Sequence, residues 1–301
     1  MSAWTVRVPG RRAKPRVAAQ PVTLPAEIAM VTEALTVVAV VCAWVVLQLL
    51  VLGGVAHDRA QHVLHAQFRT DLASATAPVG GVIEPGTAVS TLTVKRHGIS
   101  EVVVEGTASS QTLDGPGHRR DTVLPGQPGT SVVYGRSSTF GAPFGGLADL
   151  RVGDTITTVT GQGRAAYEVS GVRRAGDPLP QPLAPGKGRL VLVGAEGQGR
   201  LAALSPGAVI YVDAELVSQP HEAGPARMTS VPAAEQPMGR DTAVLPLLAL
   251  VLAGLGVLAG VATYARARLG RARAWVLLSA PVVALAWIAT DLGMSLLPNL
   301  V

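Results

Sequence analysis

Residues 130–154 read TSVVYGRSSTFGAPFGGLADLRVGD. A β-branched run, Thr130–Tyr134, gives way to a Gly-, Ser- and Pro-containing stretch and closes on a Gly153-Asp154 turn. β-branched and aromatic side chains fit a pleated, half-buried strand, whereas Gly, Pro and Asp mark places where the chain turns. The same punctuation recurs outward from this stretch. Candidate strands fall at 88–95, 100–106, 130–134, 155–160, 166–172, 189–194 and 208–214, with further turns at Pro128-Gly129 and Pro206-Gly207. Seven short strands within residues 87–216 predict a mostly β domain, a barrel or sandwich, rather than a parallel α/β sheet. Short helices are expected near 107–114 and 144–150. The four tryptophans, Trp4, Trp44, Trp275 and Trp287, all lie outside this domain, so its core is expected to rest on Val, Leu, Ile, Tyr and Phe.

Apolar runs flank the domain. Residues 34–56 carry no charge and are long enough to cross a hydrocarbon core of roughly 30 Å. Two more runs, 243–264 and 275–297, reach a similar length, the last interrupted by Asp291. The resulting organisation is a basic tail over 1–33, a first transmembrane helix over 34–56, a stalk and linker over 57–86, the β domain over 87–216, a linker over 217–242, a second helix over 243–264, a basic loop over 265–274 and a third helix over 275–297. The first run is longer than the apolar stretch of a cleaved signal peptide and reads as an uncleaved anchor. Arg7, Arg11, Arg12, Lys14 and Arg16 precede the first run, and Arg266, Arg268, Arg271 and Arg273 separate the other two. Basic residues flank the cytoplasmic ends of membrane helices, so both segments fit one topology, with residues 57–242 exported. Asp291 lies near the outer end of its span, where water or a neighbouring helix is within reach, and Gly256 with Gly260 forms a G-x-x-x-G step of the kind that packs helices.

Charge and cysteine usage narrow the function. The formal charge is +5, yet residues 57–240 hold 16 basic and 16 acidic residues. The exported part has no global basic bias toward nucleic acid. Cys42 is the only cysteine and lies in the first apolar run, which excludes an intrachain disulfide and a cysteine zinc site. His57, His62 and His65 have no carboxylate or cysteine beside them and read as part of a solvated stalk. No metal or cofactor site is expected.

Three stretches carry a resemblance: VVVEGTASSQTLDGPG at 102–117 with LPGQPG at 124–129, the 130–154 segment with its GAPF and L-x-x-L-x-x-G-D elements, and RLVLVGAEG from Arg189 followed by VIYVDAEL ending at Leu216. In this order they resemble the actinobacterial, class E-like sortases, membrane-anchored cysteine transpeptidases of the Gram-positive cell surface. The resemblance implies a closed β-barrel and a peptide-binding groove. It also implies three catalytic side chains: a cysteine nucleophile, a histidine acid or base, and an arginine that stabilises developing negative charge. The family's Gly-His-Arg triplet aligns with Gly135-Arg136-Ser137, which puts Arg136 at the histidine position. Its Leu-Thr-Leu-x-Thr-Cys aligns with Leu190–Ala195, which puts Ala195 at the cysteine position. Anchoring on Ala214-Glu215-Leu216 puts Val209 at the arginine position, with Arg200 the nearest arginine. Residues 57–301 contain no cysteine at all, so thiol chemistry in the exported domain is excluded irrespective of alignment.

The leading expectation is therefore a catalytically inactive sortase-like module that binds a peptide or surface protein, or acts as a scaffold. Arg136, Ser137, Glu196 and Arg200 are its candidate groove residues, and Arg136 and Glu196 are placed to pair with each other or with a ligand's charges. An enzyme of altered chemistry is the alternative, with Ser137 or Ser138 as nucleophile and His118 or His97 as base. A third reading makes the helices the working part of a membrane complex, through Gly256, Gly260 and Asp291.

Overall fold

The structure, a computed structural model, describes Leu35, Ala39, residues 41–196 and residues 207–301. The chain divides into two units, Met1–Trp44 and Val45–Val301. In the first, the described residues are helical and Cys42 is a free, exposed thiol. In the second, a π-helical turn, Gln48–Leu52, runs directly into α1, Gly53–Ala73.

The β domain is a closed barrel of eight strands in the order β1-β2-β3-β4-β7-β8-β6-β5. They are β1 Ala88–Val94, β2 Ile99–Glu105, β3 Gly117–His118, β4 Gly129–Tyr134, β5 Thr155–Thr160, β6 Gly163–Arg174, β7 Gly188–Ala195 and β8 Val209–Leu216. β2–β3 and β4–β7 pair parallel, the other neighbours antiparallel, and β5 closes onto β1. The sequence reading misses β3, which is two residues long and too short to display an alternation. β6 is longer at both ends than the expected 166–172. The two expected helices become α2, Ser109–Asp114, and a single 3-10 turn, Leu147–Asp149.

Burial along β5 and β6 alternates residue by residue, as a strand with one wet face requires. Leu92, Val103, Phe144, Ile156, Tyr167 and Leu192 are among the side chains that fill the barrel interior. β7 differs, because it is buried on both faces. Leu190 and Leu192 point into the barrel, while Val191, Val193 and Ala195 join Tyr134 and Leu300 in a second apolar cluster on the outside. A strand covered on both faces reads as a continuous apolar run, which is what Leu190-Val191-Leu192-Val193 is.

The stalk is solvated on one face only, where His62 is exposed. His57, Gln61 and Phe68 of α1 are buried against the barrel, with Leu64 and Leu72 beside them. Gln61 caps the edge of β2, donating to Val102 O (3.2 Å) and accepting from Val102 N (2.7 Å). His57 Nε2 lies 3.1 Å from Glu101 Oε2, and its Nδ1 3.3 Å from Leu113 O. Residues 217–241, read as a linker, also lie on the barrel. Arg227 donates to Thr122 O (3.0 Å), to Gly81 O (2.6 Å) and to the buried carboxylate of Glu105, which also holds His118 Nδ1 at 3.0 Å. Arg120 grips Glu235 through Nε and Nη2.

Among the described residues two helices, not three, are long and apolar enough to cross a membrane: Thr242–Leu269 and Ala272–Met294. The expected span over 34–56 lies partly outside the described residues. The two helices, α3 (Leu245–Leu269) and α4 (Arg271–Met294), form an antiparallel hairpin whose connection shrinks from the expected loop to Gly270, at φ +82°. Leu250, Val257, Trp275 and Leu277 are exposed along the pair, an apolar surface suited to lipid. The helices meet at Gly254, where an added Cβ would stand 3.3 Å from Leu285. At Gly256 and Gly260 an added Cβ meets nothing within 4 Å among the described residues, so the G-x-x-x-G step is not where α3 and α4 touch. The hairpin's open end sits at the barrel, where Asp241 N donates to Ser295 O (3.3 Å).

Two predictions follow from these packing contacts. Arg227→Ala leaves Glu105 in the barrel wall without its guanidinium, and is expected to destabilise the domain by about 3 kcal/mol, read from denaturant unfolding in detergent. For His57, burial disfavours the charged ring, but the hydrogen bond and charge of Glu101 and the Leu113 carbonyl outweigh it and raise the pKa above the ordinary value. The raised folded pKa means that the stabilisation is fully present below about pH 6.5 and fades as pH climbs through the raised value. Unfolding free energy measured against pH is expected to show this fall in the wild type and lose it in Glu101→Gln.

Candidate functional site

The positions singled out by alignment converge in space. Arg136 and Ser137 follow the end of β4, Ala195 ends β7 and Val209 begins β8. β4 and β7 run parallel in register, Tyr134 beside Val193, and Ala195 pairs with Val209 across β7–β8. The loop after β4 folds back over this point. Phe144 N donates to Arg136 O (2.9 Å), and Phe140, Gly141 and Ala142 all take positive φ. The tight fold depends on missing side chains. A Cβ at Gly135 would lie 2.4 Å from the Phe144 ring, and one at Gly141 2.6 Å from the His57 ring.

Ser137 and Ala195 touch directly. Ala195 N donates to Ser137 Oγ at 2.9 Å, and both residues are buried. That approach depends on Gly194, because a Cβ there would sit 2.8 Å from Ser137 Oγ and 3.2 Å from Leu147. Thus Gly194, at the position where the resemblance expects threonine, makes room for the serine hydroxyl.

Arg136 is completely buried. Its Nη2 donates to Ser109 O (3.1 Å) and Ser109 Oγ (2.7 Å), and its Nη1 to Thr139 Oγ1 (3.2 Å) and Val301 O (2.8 Å). The Phe140 ring lies 5.4 Å from the guanidinium carbon. Its acceptors are main-chain and hydroxyl oxygens, and burial pulls the pKa down to about 9. The pairing expected between Arg136 and Glu196 does not form. Glu196 instead binds Arg174 at the surface (Nη2 to Oε1, 2.7 Å), because β6 and β7 both flank β8 and carry these side chains to its outer end. Arg200 lies outside the described residues.

The cleft is filled by the chain itself. After α4, Pro298–Val301 make a turn closed by Val301 N donating to Pro298 O (3.2 Å). Asn299 Nδ2 donates to Thr107 O (2.6 Å) and Gln236 O (2.9 Å), and Asn299 N donates to Gly239 O (3.0 Å). Leu300 packs on Tyr134, Val191, Val193 and Ala195, and its carbonyl accepts from Ser137 N at 3.0 Å. Val301 O accepts from Arg136 and from Thr139 Oγ1. Sequence reading places these residues at the end of a membrane span and gives them no part in the site. The signal available was the doubly apolar β7, whose outer face needed a cover.

The proposed alternative bases are engaged elsewhere. His118 is fully buried, with Nδ1 on Glu105 and Nε2 2.9 Å from Val123 O. His97 Nε2 lies 3.4 Å from Asp154. Beside the cleft, a cavity of about 200 Å³ opens between α1, α2 and the hairpin, lined by Ser110, Asp114, Phe140, Asp291 and Ser295 among others. Burial, and then the charge of Asp291, raise the pKa of Asp114. No group of His, Cys, Asp and Glu among the described residues is arranged to hold a metal ion.

Residues 92–194 match the family model described as Sortase domain. The chain carries a sortase-family domain. Solved structures similar to it include a Clostridium perfringens sortase D5 transpeptidase, at 17% identity over 54% of this chain and 99% of that one, TM-score 0.41. Sortase E from Streptomyces avermitilis matches at 26% identity over 46% of this chain and 93% of that one, TM-score 0.38. Sortase E1 from Streptomyces coelicolor, solved with a tripeptide in its active site, matches at 20% identity over 46% and 94%, TM-score 0.39. No curated protein matches the chain. The matched segment contains Arg136, Ser137 and Gly194 and stops one residue before Ala195.

The Ser137–Gly194 contact yields a test. Gly194→Thr is expected to destabilise the sortase domain by about 1–3 kcal/mol. Adding Ser137→Ala is expected to recover part of that loss, so the double substitution costs less than the sum of the two. Denaturant unfolding of the four proteins of the cycle checks it.

Proposed function

We propose that this protein is a membrane-anchored, exported sortase-like protein without transpeptidase chemistry, acting as a binding or scaffold module at the cell surface. The observation that carries the reading is Ala195. It stands buried where the resemblance expects the cysteine, and residues 57–301 contain no thiol to replace it. Arg136, at the expected histidine position, is committed to main-chain and hydroxyl oxygens and offers no lone pair for a proton. The apolar hairpin with arginines at its tip supports anchoring with the tip in the cytoplasm and the barrel outside. A third span over 34–56 belongs to the same proposal.

Altered chemistry at Ser137 finds little support. A serine nucleophile needs an adjacent base. The Ser137 hydroxyl faces the Ala195 amide, and His118 and His97 are held by Glu105 and Asp154. The architectural reading is favoured by one observation: a Cβ added at Gly256 or Gly260 meets none of the described residues, which leaves room there for another helix.

The test is a turnover assay on the full chain in detergent, with sorting-type peptides and activated esters at high protein concentration. No transpeptidation or hydrolysis above the uncatalysed rate is expected, and Ala195→Cys alone is expected to stay inactive for want of a base. Turnover that disappears in Ser137→Ala would replace this reading with the altered enzyme. Leucine at both Gly256 and Gly260 is expected to leave the barrel folded and to disrupt assembly only if the hairpin is the working surface.

A further inference from the structure

The filled cleft has the composition of a ligand complex within one chain. A turn of four residues enters, and each part of it meets a dedicated partner. The Asn299 amide is read by two carbonyls, the Leu300 side chain by a patch of one tyrosine and three aliphatic residues, and two successive carbonyls by Ser137 N and by Arg136 with Thr139. Asn299, Leu300 and Val301 are all buried. Little of this would exist without the turn. Removing it exposes the outer face of β7 and leaves the Arg136 guanidinium short of an acceptor.

The fit is incomplete in a telling way. Asn299 Oδ1 and Arg136 Nε are buried with no hydrogen-bond partner among the described residues. Unpartnered buried polar atoms weaken a docked state relative to a solvated one. Arg136, moreover, is buried with no Asp or Glu side chain among its hydrogen-bond partners. The turn is therefore held by a few specific contacts rather than by continuous strand pairing, and it hangs from the end of α4 through Ser295–Leu297.

We propose that the cleft is a receptor for a short Pro-Asn turn, that residues 297–301 are its resident, tethered occupant, and that an external peptide with the same turn takes the place when this segment leaves. The proposal rests on the binding-module reading above and names the ligand class: a peptide presenting a carboxamide, an aliphatic side chain and two consecutive carbonyls. Tethering supplies a high effective concentration, so the resident turn outcompetes free peptide until it is withdrawn. Movement of α4 relative to the barrel is the motion that would withdraw it.

The probe is a fluorescent pentapeptide Leu-Pro-Asn-Leu-Val, supplied as the acid and as the carboxamide, added to the full chain in nanodiscs. Fluorescence anisotropy is expected to show at least tenfold tighter binding to a chain lacking residues 297–301 than to the wild type, for one form of the probe or both. Arg136→Gln in the shortened chain is expected to weaken that binding at least tenfold. Should the shortened chain not fold, full-length Asn299→Ala, which removes both side-chain anchors, is expected to bind at least threefold tighter than the wild type. Equal binding by wild type and folded variant, or no binding by either, overturns the proposal and leaves the turnover result untouched. Bound peptide recovered cleaved would instead overturn the inactive reading while the receptor site stands.

Discussion

One buried guanidinium organises the molecule. Arg136 has been taken out of water with no Asp or Glu side chain among its hydrogen-bond partners, a costly placement that only several well-aimed acceptors make tolerable. Those acceptors come from three parts of the chain: α2 through Ser109, the loop after β4 through Thr139, and the segment after α4 through Val301. Satisfying one side chain therefore ties the first half of the barrel, the loop after β4 and the α3–α4 hairpin into one unit. The positive-φ turn at 140–142 and the close approaches at Gly135 and Gly141 are consequences of holding that loop over the guanidinium.

Much of the barrel is legible in the sequence because its strands obey simple rules. β5 and β6 alternate, β1 and β2 are β-branched, and Gly or Pro marks the turns. The cleft positions are legible too, since they sit at fixed places in the motif-bearing stretches. What escapes is whatever depends on contacts between distant segments. β3 is two residues held by its neighbours rather than by its own pattern. Residues 217–241 look like a polar linker because Arg227 and Glu235 are charged, yet both are paired with buried or half-buried partners on the barrel. Glu196 follows Arg174 rather than Arg136, because strand neighbours decide ion pairs and closeness to an aligned motif position does not.

Two overlooked signals were nonetheless present. His57, Gln61, Leu64, Phe68 and Leu72 recur every three or four residues, which is the stripe of a helix packed on one face. Reading the histidines alone hid it. The Leu190–Val193 run is apolar without alternation, and a barrel strand of that kind needs a cover outside as well as inside. The cover, Leu300, lies more than a hundred residues away in sequence and beyond a hairpin read as membrane, so no local pattern points to it.

The position of the plug in chain order bears on biogenesis. Every strand of the barrel is synthesised before α3 and α4, whereas the turn that seats on β7 follows both. The barrel can close its sheet early, but the outer apolar face of β7 and Arg136 stay uncovered until α3 and α4 have folded back on each other and returned the following segment to the barrel. Completion of the fold thus reports assembly of the helical pair: without it, the outer face of β7 and the Arg136 guanidinium lack the cover that Leu300 and Val301 supply.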